Sequence, residues 1–134
     1  MKILQYLQIG LRNGGANEVA FLIKQGLEEL GHVVDMVSPE GTPSNGSTIQ
    51  LPVFTSMKQR MALDESIKEG LLDKYGLTHI CLRRMVEKYD VLHIHNFAQT
   101  GLTLGNIIEL SKEIKVVITG HDMSILTGRC AHSF

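Results

Sequence analysis

Ile3-Leu-Gln-Tyr-Leu-Gln-Ile9 runs directly into Gly10-Leu-Arg-Asn-Gly-Gly-Ala-Asn17, and this junction decides the fold. The first seven residues are dense in apolar side chains without helical spacing, which predicts a buried first strand over 3–9. The glycines at 10, 14 and 15 stop any helix there. From Ala16 onward Val19, Leu22, Ile23, Leu27 and Leu30 recur at three- and four-residue intervals, and Gly31 follows as a helix-stopping residue should. A strand, a glycine-rich loop and a helix form the opening unit of an α/β fold.

The rest of the chain repeats that change of period. A second strand is expected over 32–37 (HVVDMV), followed by a surface loop over 38–47 (SPEGTPSNGS) whose proline, glycine and small polar residues favour turns. Residues 49–54 read as a short strand and 57–75 as one helix or two. Over 77–89, Ile80, Leu82, Met85 and Val86 share a helical face while Arg83, Arg84, Glu87 and Lys88 lie elsewhere. Strand character returns at 90–95 (DVLHIH), helix at 102–110 and strand at 115–119 (KVVIT). With right-handed crossovers this order predicts a Rossmann-like three-layer α/β/α domain with a mostly parallel sheet and helices on both faces. There is no internal repeat or low-complexity tract.

A chain of 134 residues suits a single domain over 1–134. The net charge of −1 supplies no electrostatic argument for nucleic acid or an anionic membrane as the main partner. Cys81 and Cys130 lie far apart without a Cys-x-x-Cys spacing, so two ordinary thiols in a reducing cytoplasmic setting are expected. No apolar run approaches the roughly 20 residues that span a bilayer. Met1-Lys2-Ile3 leads into a strand rather than a cleavable signal.

Three places could carry chemistry. In the first loop, Gly14 and Gly15 let backbone amides approach a ligand with no Cβ in the way, and the helix that follows adds roughly half a positive charge there. The loop is neither Gly-x-Gly-x-x-Gly nor Gly-x4-Gly-Lys-Ser/Thr, so a plain tight turn and a phosphate site remain equal readings. In His93-Ile-His-Asn96, alternation sends His93 and His95 to one face and leaves Asn96 at the carboxyl edge of the strand. No acidic or cysteine partner in the nearby sequence completes a metal set, so packed or hydrogen-bonded histidines are the preferred reading. In Val116-Val-Ile-Thr-Gly-His-Asp122, a strand delivers His121 and Asp122 to the place where open α/β sheets bind ligands, ahead of a polar loop containing Gly128-Arg-Cys-Ala-His132. The alternative is a hydrogen-bonding pair that only closes the strand end.

Taken in order, the opening strand with Asn13-Gly-Gly-Ala-Asn-Glu-Val-Ala20, then Gly31-His-Val-Val34, Asp90-Val-Leu-His-Ile-His-Asn96 and Val117-Ile-Thr-Gly-His-Asp-Met-Ser-Ile-Leu-Thr-Gly-Arg-Cys-Ala-His132, resemble the amino-terminal, acceptor-side half of a GT-B glycosyltransferase of family 4. The resemblance runs almost end to end. It implies sugar transfer from a nucleotide-diphosphate sugar to an acceptor hydroxyl, with retention at the anomeric carbon and no metal or other cofactor, in a cleft between two Rossmann-like domains. It implies that Gly14, Gly15 and Ala16 approach the donor diphosphate through the backbone. His121 would face the donor sugar near the departing phosphate, Asp122 would hold the loop, and Asn96 and Thr127 would line the acceptor side. The leaving diphosphate would itself take the acceptor's proton, so no catalytic nucleophile is assigned and the protein supplies positioning and charge stabilisation.

The sequence departs from the family pattern at Ser124, where relatives commonly carry tryptophan, and at Gly120, where a bulkier residue is common; acceptor preference is therefore open. No glutamate here has another eight positions on, so the family's Glu-x7-Glu donor motif is absent. A missing or separate donor-binding domain is the expected partner, beside a nucleotide-sugar donor and a glycan or lipid-linked acceptor, and the isolated chain is expected to be a truncated, inactive part. An incomplete sheet would also favour self-association or poor solubility. A cytoplasmic location is expected, and contact with the inner face of the membrane is compatible although no strong basic or amphipathic anchor is present. Two other functions compete: a non-catalytic nucleotide- or sugar-binding module, and a nucleotide-sugar epimerase of similar architecture.

Overall fold

The computed structural model describes residues 1–7, 14–38, 48–50, 76–95 and 102–122, with the backbone alone described at 48–50, 76–78, 80 and 81. Strand β1 (Lys2–Tyr6) leads to helix α1 (Gly15–Glu29) and strand β2 (Val33–Ser38). Strand β3 (Thr48–Gln50), helix α2 (Gly76–Val86), strand β4 (Val91–His95), helix α3 (Leu104–Leu110) and strand β5 (Lys115–Thr119) follow. The strands form one sheet in the order β3-β2-β1-β4-β5, and every described pairing is parallel. This is the Rossmann-like α/β arrangement expected from the alternation of periods.

The strand order reverses between β1 and β4, because β2 and β3 are added on one side of β1 and β4 and β5 on the other. Right-handed crossovers then place the helices on opposite faces. Leu7 and Met36 pack with Ala20 and the half-buried Phe21 under α1. Leu4, Tyr6, Val37, Leu92 and Ile94 pack on the other face with Leu82 and Val86 of α2 and Ile107 and Leu110 of α3. Leu4, Leu92, Ile94 and Leu110 are fully buried, and each such side chain contributes about 1.5–3 kcal/mol of apolar burial.

Helix ends follow local chemistry. Gly31 adopts φ +82 after the Leu30 cap, where a left-handed residue closes the helix end. Thr103 and Asn106 form a reciprocal capping box: the Asn106 amide donates to Thr103 Oγ1 at 3.1 Å and the Thr103 amide to Asn106 Oδ1 at 2.9 Å.

The observed elements differ from the sequence reading mainly at their ends. The described part of the first strand stops at Tyr6, β2 is shifted one residue to Val33–Ser38, and α3 begins at Leu104 behind its cap. One difference is larger. The apolar series on α1 does not all face the sheet: Val19, Leu22 and Leu30 are 40%, 56% and 75% exposed, whereas Asn17 and Ala20 are buried. Small Ala20 packs with Leu7 and Met36 under the helix, and Lys24 Nζ on the same side donates to Val34 O of β2 at 2.6 Å. Of the sequence-based readings, the loops at 10–13 and 39–47, residues 51–54 of the short strand, the helical reading of 57–75 and the polar loop from 123 onward lie outside the described residues, as do Asn96, Thr127, Cys130 and the side chain of Cys81.

Candidate functional site at the carboxyl edge of the sheet

In an open sheet of this order the ligand crevice lies beyond the carboxyl ends of the strands where the order reverses, here β1 and β4. Three described features reach that rim. Helix α1 starts there at Gly15, His95 is the last residue of β4, and His121 lies two positions past the end of β5. Register shows why the histidines share a face. Gln5 of β1 pairs with Met36 and with His93, and His93 in turn with Val117, so this cross-sheet row lies on the α1 side. His95, two residues on, extends the same face to the rim.

The side chains form a connected chain. His93 Nε2 is 2.7 Å from Thr119 Oγ1. The rings of His93 and His95 are 4.1 Å apart between centroids and tilted by 37°. His95 Nδ1 is 3.0 Å from His121 Nε2. The His95 and His121 ring centroids are 5.3 Å apart with planes only 21° from parallel. That separation equals the nitrogen contact plus one ring radius on each side, so the rings meet edge to edge in nearly one plane. The hydrogen bond then lies along the lone-pair axis, the favoured geometry.

Burial sets the electrostatics. His95 is 1% exposed, and burial, reinforced by His93 and His121, holds its pKa down to about 3. Burial also lowers His93, with His121 adding to the effect. His121 is lowered by its own burial against an opposing pull from the Asp122 charge. At neutral pH the cluster is therefore uncharged. It donates and accepts hydrogen bonds as neutral imidazoles, which suits hydroxyl and phosphate oxygens.

Two buried polar groups in this region have no partner among the described residues: His95 Nε2, and both amide atoms of Gln5. Asn17 of α1 is also buried here. A polar row beneath a helix is unusual in a sheet core, since an unpaired buried polar atom costs about 1–3 kcal/mol.

The glycine turn offers a different chemistry. Gly14 caps α1 with φ 84 and ψ 159 and no side-chain hydrogen bond, a backbone region that is essentially confined to glycine. A Cβ at Gly14 or Gly15 would meet nothing within 4 Å. Among the described residues there is thus open space beside both glycines, although Glu18 in the first turn adds a negative charge. No hydrogen bond joins residues 14–16 to His121 among the described residues. His121 and Asp122 are both half-buried at the rim.

Sequence reasoning gave His95 no functional role, and the bond to His121 spans 26 positions. The available signal was its place as the last strand residue, on the same face as His93. Among the described residues, no group of three or more His, Cys, Asp or Glu is arranged to hold a metal, and no helix is long and apolar enough to cross a membrane.

Fold and rim together define a Rossmann-like α/β domain with its ligand edge at a strand-order switch. The family model for Glycosyltransferase Family 4 matches residues 13–132, and the chain belongs to that family. This is consistent with the amino-terminal part of a GT-B enzyme and assigns the chain, in the broad sense, to glycosyl transfer. No curated protein and no solved structure gives a significant match.

Proposed function

We propose that the chain forms the acceptor-side part of a retaining glycosyltransferase of hexosyltransferase type, acting in glycan or polysaccharide biosynthesis. The donor is a nucleotide-diphosphate sugar and the acceptor a glycan or lipid-linked hydroxyl. The observation that carries this reading is the family match across 13–132, which spans both the glycine turn and His121 at the rim. In this reading the amides of Gly14, Gly15 and Ala16 approach the donor diphosphate, where the helix dipole favours negative charge. His121 donates or accepts a hydrogen bond at the donor sugar, Asp122 holds the loop, and Asn96 and Thr127 contribute to the acceptor side. No metal or other cofactor takes part. A second domain supplies the Glu-x7-Glu donor motif that residues 1–134 lack, and residues 1–134 alone do not turn over. The work is done in the cytoplasm, with contact to the inner face of the membrane where the acceptor is lipid-linked.

Preorganised neutral donors act here by stabilising charge on the departing diphosphate. The test is sugar transfer from a panel of UDP-, GDP- and ADP-sugars by the native protein that carries this sequence, with product configuration read by NMR. Retention, with H121A reduced by about 100-fold or more, supports the reading. Inversion, or an unimpaired H121A, overturns it. Binding of nucleotide sugar without any transfer would point to a non-catalytic module.

A further inference from the structure

His95 and His121 share one hydrogen bond, and two proton arrangements satisfy it. If His121 Nε2 donates to His95 Nδ1, neutral His95 must carry its own proton on Nε2, a buried N–H with no partner among the described residues. If His95 Nδ1 donates instead, the buried and unpartnered Nε2 is only a bare lone pair. Among buried backbone groups an orphaned N–H is rarer than an under-satisfied carbonyl, and the same asymmetry carried over to the ring favours the second arrangement. The nearly coplanar, edge-to-edge placement of the rings gives that N–H a direct line to His121 Nε2.

We infer that His95 is a positioning residue: by donating from Nδ1 to His121 Nε2 it holds His121 in the tautomer that carries its proton on Nδ1, making that nitrogen a neutral hydrogen-bond donor for the ligand. Which nitrogen of a histidine is protonated is set by the bond that the other one makes. With Nε2 engaged by His95, Nδ1 is the remaining ring nitrogen of His121. His93 packs against the His95 ring at 4.1 Å and is itself tied to Thr119, so the ring that sets the tautomer is held from both strands. The ligand part of this inference rests on the glycosyl-transfer reading; the tautomer part does not.

Long-range proton–nitrogen correlation NMR on the 15N-labelled chain at neutral pH tests the tautomer directly. His121 should show a protonated Nδ1 and an unprotonated Nε2; a protonated Nε2 overturns the inference. His95→Asn keeps an N–H donor near the Nδ1 position and should preserve the His121 signature, whereas His95→Leu should lose it. In the native enzyme, His95→Leu should lower kcat about tenfold or more with KM changed less than about twofold, and His95→Asn should restore most of the rate. Equal losses in both variants would reduce His95 to a packing role and overturn the inference. If the wild-type protein transfers no sugar, the proposed function fails, while the NMR result still decides the tautomer.

Discussion

His93 Nε2 meets Thr119 Oγ1 at 2.7 Å, tying β4 to β5 on the α1 face just below the rim where His95 and His121 are bonded. The pair links a nearly buried ring in the sheet interior to the edge strand that delivers His121.

Thr119→Val keeps the shape of the side chain and removes the hydroxyl, leaving a His93 nitrogen unpaired in a site that is 8% exposed. We expect a loss of about 1–2 kcal/mol, read from denaturant unfolding. An unchanged midpoint would mean that the bond contributes nothing to the fold.

The histidine cluster should make the domain acid-sensitive. All three pKa values are depressed, that of His95 from 6.5 to about 3. The unfolded chain takes up protons that the folded cluster refuses, so unfolding gains from acid. The stability in question is present in full above the ordinary histidine value of 6.5 and declines as pH falls toward 3. His95→Asn should flatten this part of the pH profile in thermal melts. A profile as steep as that of the wild type would show that His95 is not the group responsible.

Gly14 and Gly15 should respond differently to the same methyl group. At Gly14, φ +84 strains any side chain even though the space is open, and Gly14→Ala should cost about 1–3 kcal/mol. Gly15 is the first helical residue with open space around it, so Gly15→Ala should leave stability unchanged or raise it by up to about 1 kcal/mol. If the amides here bind diphosphate, calorimetric titration with UDP or GDP should nonetheless show weaker binding to the Gly15 variant. Undiminished binding would argue that the turn is only a turn.

Tyr89 Oη donates to Asp35 Oδ2 at 2.8 Å across 54 positions, joining the turn after α2 to β2. Burial, together with this bond, pushes the Tyr89 pKa up to about 12. The phenol is retained by the fold, so its contribution is intact below the ordinary value of 10 and is lost as pH rises from there to about 12. Tyr89→Phe should cost about 1 kcal/mol near neutrality and remove this alkaline component. Thermal melts of both proteins between neutral and alkaline pH provide the comparison.

Much of the fold was legible because it depends on near neighbours. The run at 115–119 is strand β5 to the residue, and Gly31 ends α1 where a left-handed glycine is cheapest. Less legible was the face that α1 presents. Val19 and Leu22 fit the apolar period yet stay exposed, because the position of a helix on a sheet depends on what lies beneath it. The face turned to the sheet carries Ala20, packed with Leu7 and Met36, and Lys24, bonded to Val34 O, neither of which a hydrophobic count weighs.

At the site the same division holds. His121 was legible as a rim residue because it follows a strand, and Gly14 because glycines interrupt the junction with α1. His95 was legible only as one of two histidines on a strand face.

By itself the sequence determined the alternation of strand and helix, the parallel sheet, the place of the glycine turn and the family to which the chain belongs, since periodicity and motif order are properties of adjacent residues. Tertiary structure alone decided that Gln5, His93 and Val117 share a row, that His95 Nδ1 faces His121 Nε2, and that these histidines resist protonation below their ordinary value. The physical reason is that register, burial and hydrogen-bond direction arise between segments far apart in the chain, where local propensity carries no information.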